Sequence, residues 1–306
     1  MIEPPRPYFY KYVTAEVAKI ILVNWKVRYS APSSFNDPFD TQIDLHFPFD
    51  LEDLREPMMQ RILNAINSGT PLPNADSHPY AGLLEFFRQN RSRIDLSDSD
   101  LIDERMPAIE EGINNMKKSL PEMHQDLRSK FMNDAKVFCV SEVHDNLLMW
   151  SHYSDNHKGA VIKFLCLPQL NNTICAATRL TYNEDMPVMA TLEEWLDSSF
   201  GFKSLDYQRM WDKMFSVKSI DWSYEREWRV IIPDEAIGDD HTDLEINPRE
   251  VGEIIFGCRM SDQDTEDILN LLTHDFDHVT ATKASKNQKK FCLDFETMKK
   301  TQHSSI

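Results

Sequence analysis

From about Asp50 to Asp134 the apolar residues recur at helical spacing, and on both sides of that stretch the chain breaks into short β-prone runs. Within the stretch, Ile102, Met106, Ile109, Ile113, Met116 and Leu120 fall on one helical face. Segments such as "DLEDLREPMMQRILNAIN" and "AGLLEFFRQNRSRI" carry the same period. Helices gathered in one block between runs of strands exclude the regular strand–helix alternation of a parallel α/β fold. The expectation is one α+β domain over residues 1–306. It has a strand-rich mixed or antiparallel core, a helical insertion at about 50–134 and a frayed tail at 297–306.

The flanks support the core. "YFYKYV" is aromatic and β-prone, Thr14 can cap a helix over "AEVAKIILVN", and "KVRYS" returns to a strand. After Asp134 come strands at "AKVFCVS", "KGAVIKF", "ATRLTY", "REWRVIIP", "TDLEIN", "EVGEIIFG", "HVTATKA" and "KKFCLDF". Helices are expected within "ATLEEWLDSSFGF" and "LDYQRMWDKMF", and in "SDQDTEDILNLLT" behind an Ser261 N-cap. Only 8 glycines occur in 306 residues, with no Gly-x-Gly-x-x-Gly or Walker-type loop, which weakens a Rossmann or P-loop reading.

The formal net charge of −17 argues against a broad, non-specific grip on nucleic acid or an anionic membrane, although a basic pocket can sit locally within it. The five cysteines, Cys139, Cys166, Cys175, Cys258 and Cys292, are scattered and form no Cys-x-x-Cys pair. They read as small buried hydrophobes rather than a disulfide framework or a zinc site. With no apolar stretch suited to a signal or a membrane span, the expected location is the cytoplasm.

Four polar clusters stand out. In "YKY", Tyr10 and Tyr12 share one strand face and Lys11 takes the other. "SFNDPFD" brings Asn36 and Asp37 into a turn. "FCVSEVHDNLLMWSHYSDNHKGAVIKF" places Ser141, Trp150, His152, Tyr153, His157 and Lys158 between two strands. On a helix, His152 and His157 would point about 140° apart, so no metal is expected there. The fourth cluster is "SYEREWRVIIP". If it is all strand, Glu225, Glu227 and Arg229 look the same way, either as a surface ladder of ion pairs or as the acidic wall of a cleft.

These same segments, with the later "IIFGCRMS", resemble the uncharacterised bacterial family called domain of unknown function 2971, which brings no assigned activity. The order of clusters also resembles ADP-ribosyltransferases. Those enzymes bind NAD in a split, strand-rich fold, with an aromatic and basic first strand, a serine at a strand edge, and a Glu-x-Glu entering a later strand. Tyr10, Lys11 and Tyr12 would match the first element, "FCVS" with Ser141 the second, and "EREWRVIIP" the third. The departures are Lys11 in place of arginine or histidine, Glu142 after Ser141, and Trp228 and Arg229 ahead of the apolar run.

The resemblance implies an NAD-consuming enzyme, a toxin or defence effector, with NAD as substrate and no metal. Glu227 would be catalytic and Glu225 would orient or deprotonate the acceptor. Tyr12 or Trp150 would stack on nicotinamide, Lys11 or Lys158 would hold the pyrophosphate, and Ser141 and His152 would line the site. Asn36, Asp37, His157 and Arg229 complete the expected pocket. The alternatives are a non-enzymatic binding or sensing module built on "NDPF" and "MWSHY", and a metal-assisted hydrolase or nuclease using Asp37, His152 and His157. A small nucleotide is the expected partner and a membrane is not. The acceptor, protein or nucleic acid, is left open.

Overall fold

Strand β1 (Tyr8–Val13) leads into helix α1 (Ala15–Asn24), and the Thr14 side chain accepts the Val17 amide at its start. Trp25, in the left-handed region at φ 54°, ends the helix and turns the chain into β2 (Lys26–Ser30). The computed structural model describes residues 6–41, 49, 54–67, 135–233 and 239–299, with scattered positions between 84 and 126. The fold is α+β. The expected "AGLLEFFRQNRSRI" helix, the 102–120 helix and most of the tail fall largely outside the described residues, but Thr297–Lys299, expected to be frayed, end a paired strand because residues 281 and 282 hold them in register.

The described residues divide between two compact units, Met1–Thr41, Met132–Glu184 and Ser216–Ile306 for the first, and Gln42–Phe131 and Asp185–Phe215 for the second. In the second, α2 (Arg55–Asn67) follows the expected helical pattern.

The first unit holds a ten-stranded mixed sheet. Its further strands are β3 (Ala135–Ser141), β4 (Ala160–Leu165), β5 (Thr178–Arg179), β8 (Glu227–Pro233), β9 (His241–Glu245), β10 (Val251–Phe256), β11 (Thr280–Lys286) and β12 (Leu293–Lys299). β6 (Thr181–Asn183) and β7 (Val217–Ser219) form a separate parallel pair. Helix α3 (Leu147–Tyr153) lies between β3 and β4, with the Asn146 side chain accepting the Leu148 and Met149 amides at its start. The remaining helices are α4 (Leu192–Ser199), α5 (Tyr207–Ser216) and α6 (Asp262–Leu271). α4 and its neighbour α5 are tied by Arg209 on Glu194, Nη1 to Oε1 and Nη2 to Oε2 at 2.7 Å each.

Alternation along β1 builds two cores. Phe9 and Val13 join Ala18, Ile21, Phe138, Ile162, Ile254 and Ile268 in the larger cluster. Tyr10 and Tyr12 join Met149, Trp150, Val161 and Ile255 in the other. α1 meets α6, and Lys19 reaches Asp264 at 2.9 Å and Asp267 at 2.6 Å.

One strand organises the rest. β3 pairs along one edge with the whole of β8, from Ala135↔Pro233 to Ser141↔Glu227. Its other edge is shared: β1 takes the Tyr10↔Ser141 end and β2 takes Ser30↔Val137. The sheet therefore forks at β3. At the fork Lys11 Nζ donates to the Cys139 carbonyl at 2.8 Å, supplying the partner that a continuous neighbouring strand would have given.

The cysteine expectation needs one correction. Cys166 and Cys175 form a disulfide, their Cα atoms 5.0 Å apart. Asn172 folds this segment back on itself, since its amide donates to the Leu165 carbonyl and its oxygen accepts the Leu167 amide. Scattered positions in sequence thus become neighbours in space. No helix among the described residues is long and apolar enough to cross a membrane.

Candidate functional site

A cavity of about 390 Å³ opens at the fork. Tyr10, Lys11 and Tyr12 of β1 line it on one side, and Cys139, Val140 and Ser141 of β3 form its base. Asn36 and Asp40 approach from the turn after β2, His152 and Tyr153 from α3, and Lys218, Glu225 and Glu227 close the far wall. A cavity of this size suits a small-molecule site.

The registers set the geometry. Tyr10 is opposite Ser141, and Ser141 is opposite Glu227, so the three fall in line across three neighbouring strands. Ser141 does not offer its hydroxyl to the cavity: Oγ donates to the Glu225 carbonyl at 2.6 Å and accepts the Val143 amide. It is a positioning residue.

Glu225 and Glu227 are not two positions of one strand. Ile220–Glu225 is a 3-10 helix, Arg226 is left-handed at φ 45°, and β8 starts at Glu227. The carboxylates converge nonetheless, because both reach Lys218 Nζ, Glu225 Oε2 at 2.6 Å and Glu227 Oε2 at 2.9 Å. Asp40 Oδ2 lies 3.3 Å from the same ammonium.

Arg229 does not bridge the two glutamates. Its Nε donates to Glu227 Oε1 at 2.7 Å and its Nη2 to Asp40 Oδ2 at 2.5 Å. The surface ladder is excluded, since all five of these charged residues are buried. Three carboxylates against two cations leave the cluster one negative charge when every member is ionised. Asp40 Oδ1 is buried and lacks a hydrogen-bond partner.

Burial and neighbours set the two glutamates apart. Burial alone would raise Glu227, but the Arg229 and Lys218 charges hold it far below the usual carboxylate range. Burial raises Glu225, and Lys218 offsets this only in part. Tyr153 donates its hydroxyl to Glu225 Oε1 at 2.6 Å. Glu227 thus stays ionised at neutral pH, and Glu225 is the member suited to holding a proton. Burial also pushes the Tyr10 phenol up to about 12, so it stays a neutral donor.

The cavity brings together Tyr10, Lys11, Tyr12, Asn36, Ser141, His152, Glu225 and Glu227, with Arg229 directly behind Glu227. Others lie elsewhere. Trp150, expected to stack on a ligand ring, is fully enclosed; its indole N–H donates to the His144 carbonyl at 2.7 Å and its ring stacks on His157. Lys158, expected on a pyrophosphate, is exposed and 3.7 Å from Asp155.

Asp37 is a turn former whose Oδ1 accepts the Phe39 amide. His157 faces a different pocket. Asp37, His152 and His157 therefore do not meet, and among the described residues no group of three or more His, Cys, Asp or Glu is arranged to hold a metal ion.

Lys218 and Asp40 are members that sequence reasoning did not name, and Tyr153, named in the third cluster, was given no role there. Asp40 closes the quoted "SFNDPFD" turn and Tyr153 the "MWSHY" helix, so both had a local signal. Lys218 had none: it sits in a three-residue strand, seven positions before Glu225.

Residues 149–230 match the model of a family described as "Protein of unknown function (DUF2971)". That segment carries the α3 side of the cavity together with Lys218, Glu225, Glu227 and Arg229. No curated protein and no solved structure matches the chain.

Proposed function

Taking as premise that the chain belongs to this DUF2971 family, we propose that the fork cavity binds NAD and cleaves its nicotinamide–ribose bond in an ADP-ribosyltransferase-like transfer. One observation carries this reading: Tyr10, Ser141 and Glu227, which come from the three segments resembling those enzymes, line up across adjacent strands around a single cavity.

The chemistry follows from the charges. As the ribose–nitrogen bond breaks, its electron pair leaves with nicotinamide and positive charge builds on the sugar. An ionised Glu227 fixed by Arg229 and Lys218 stabilises that charge more than it stabilises the ground state. A carboxylate has about four lone-pair sites, so the two ion pairs leave room for a ribose hydroxyl. Glu225 accepts the proton of the incoming acceptor, and Tyr153 holds it in place. Tyr10 and Tyr12 offer ring surface to the nicotinamide, and Lys11 offers its remaining N–H donors to a phosphate.

The test is nicotinamide release from NAD in the presence of cell lysate as acceptor. Wild type should release it, and Glu227→Gln should lower the rate at least a hundredfold, a loss typical of removing one group aimed at transition-state charge. Equal release by both folded proteins sinks the reading.

A second reading, a non-enzymatic nucleotide-binding module, is favoured by the engagement of both Glu227 oxygens in ion pairs. It predicts saturable NAD binding with no nicotinamide released in any mixture.

A further inference from the structure

Away from the fork, the turn between β11 and β12 reverses the charge of the rest of the molecule. A pocket of about 500 Å³ there is lined by Arg259, Lys286, Lys289, Lys290 and His157, with no carboxylate in its wall, in a chain whose net charge is −17. Phe291 stands beside these cations with 101% relative exposure, a large apolar ring given wholly to solvent.

The turn is built, not loose. Asn287 Oδ1 accepts the Lys289 and Lys290 amides at 2.8 Å each, and its Nδ2 donates to Asp294 at 3.0 Å. Phe291 and Cys292 also line an adjoining pocket of about 600 Å³ with Tyr224, Arg226 and one carboxylate, Asp145. The Tyr224 hydroxyl lies 3.2 Å from Nδ1 of His152, which lines the fork cavity. The two pockets share Phe291 and Cys292, and the Tyr224–His152 contact links the second of them to the fork cavity.

We propose that this surface, Phe291 with Arg226, Arg259, Lys286, Lys289 and Lys290, is a binding site for single-stranded nucleic acid. Lysines and arginines match the phosphates, and exposed rings supply stacking surfaces that every base can use. An acidic peptide would leave the Phe291 face without a flat partner. The role of that strand as acceptor rests on the transfer reading above, whereas its binding does not.

The experiment uses the full chain and fluorescein-labelled twelve-nucleotide RNA and DNA strands of mixed sequence, followed by fluorescence anisotropy at low salt. Binding should weaken steeply as salt rises. Phe291→Ala should weaken it about tenfold, within the range for losing one stacked base. Lys289→Glu with Lys290→Glu should abolish it while the melting temperature stays unchanged, since all three side chains are exposed. The relative affinities of the two strands decide between RNA and DNA. No binding at low salt, or equal binding by these variants, overturns the site. So does capture by phosphatidylserine vesicles or polyglutamate without capture of either oligonucleotide. Oligonucleotide binding without nicotinamide release would sink the transfer reading and leave the binding site standing.

Discussion

Lys218 lies between Glu225, Glu227 and Asp40, and its ammonium is the contact that lets three carboxylates approach one another. Removing one member of a buried ionic cluster leaves the others uncompensated, which typically costs about 3–5 kcal/mol. Lys218→Met should therefore lower stability by that order at neutral pH, read from urea unfolding. Its loss should shrink as the pH falls, because Glu225, already raised by burial, can then take up a proton and relieve the repulsion. The wild-type cluster behaves oppositely through Glu227. Its folded-state pKa is depressed, so its stabilisation is present above the usual glutamate range near about 4.3 and disappears as pH falls toward the depressed value. A variant with unchanged acid sensitivity would contradict both signs. The glutamates were legible in the sequence because two carboxylates ahead of an apolar run are conspicuous. Lys218 was not, because nothing local marks a lysine in a three-residue strand as buried.

Elements whose instructions are local were read correctly from the chain: Thr14 starts α1, Ser261 starts α6, and the β-prone runs after Asp134 became strands, except that the first four residues of "KKFCLDF" form a turn and β12 starts at Leu293. The fork at β3 was not legible. It depends on how strands more than a hundred residues apart divide one edge, and Lys11 meets the Cys139 carbonyl across 128 positions. The "YSDNHKG" segment after α3 is another case. Asp155, Asn156 and His157 all have positive φ, a left-handed run that brings the His157 carbonyl against Gly257. A Cβ on Gly257 would fall 2.1 Å from that oxygen. Gly257→Ala should therefore cost about 1–3 kcal/mol, the range for forcing extra volume into a packed site. Thermal unfolding checks it, and an unchanged midpoint would show that the contact yields freely.

Across the whole molecule, the acidic balance and the basic hairpin coexist because charge is distributed by element and not by average. The cysteines show a similar gap between composition and arrangement. Alkylation in denaturant without reductant should label Cys139, Cys258 and Cys292, and reductant should add Cys166 and Cys175. Mass spectrometry reads the difference, and five labelled thiols without reductant would refute the pairing. The fork at β3 has a further consequence, one of timing. The charged cluster draws Asp40 from near the beginning of the chain and Arg229 from 189 positions later, and β8 completes it by lying along β3. Such long-range pairings form slowly because the loops between them must first be closed. During synthesis, a chain not yet extended to Lys218 holds β1, β2 and β3 but lacks both glutamates and both cations, so the charged cluster stays unassembled until most of the polypeptide has been made.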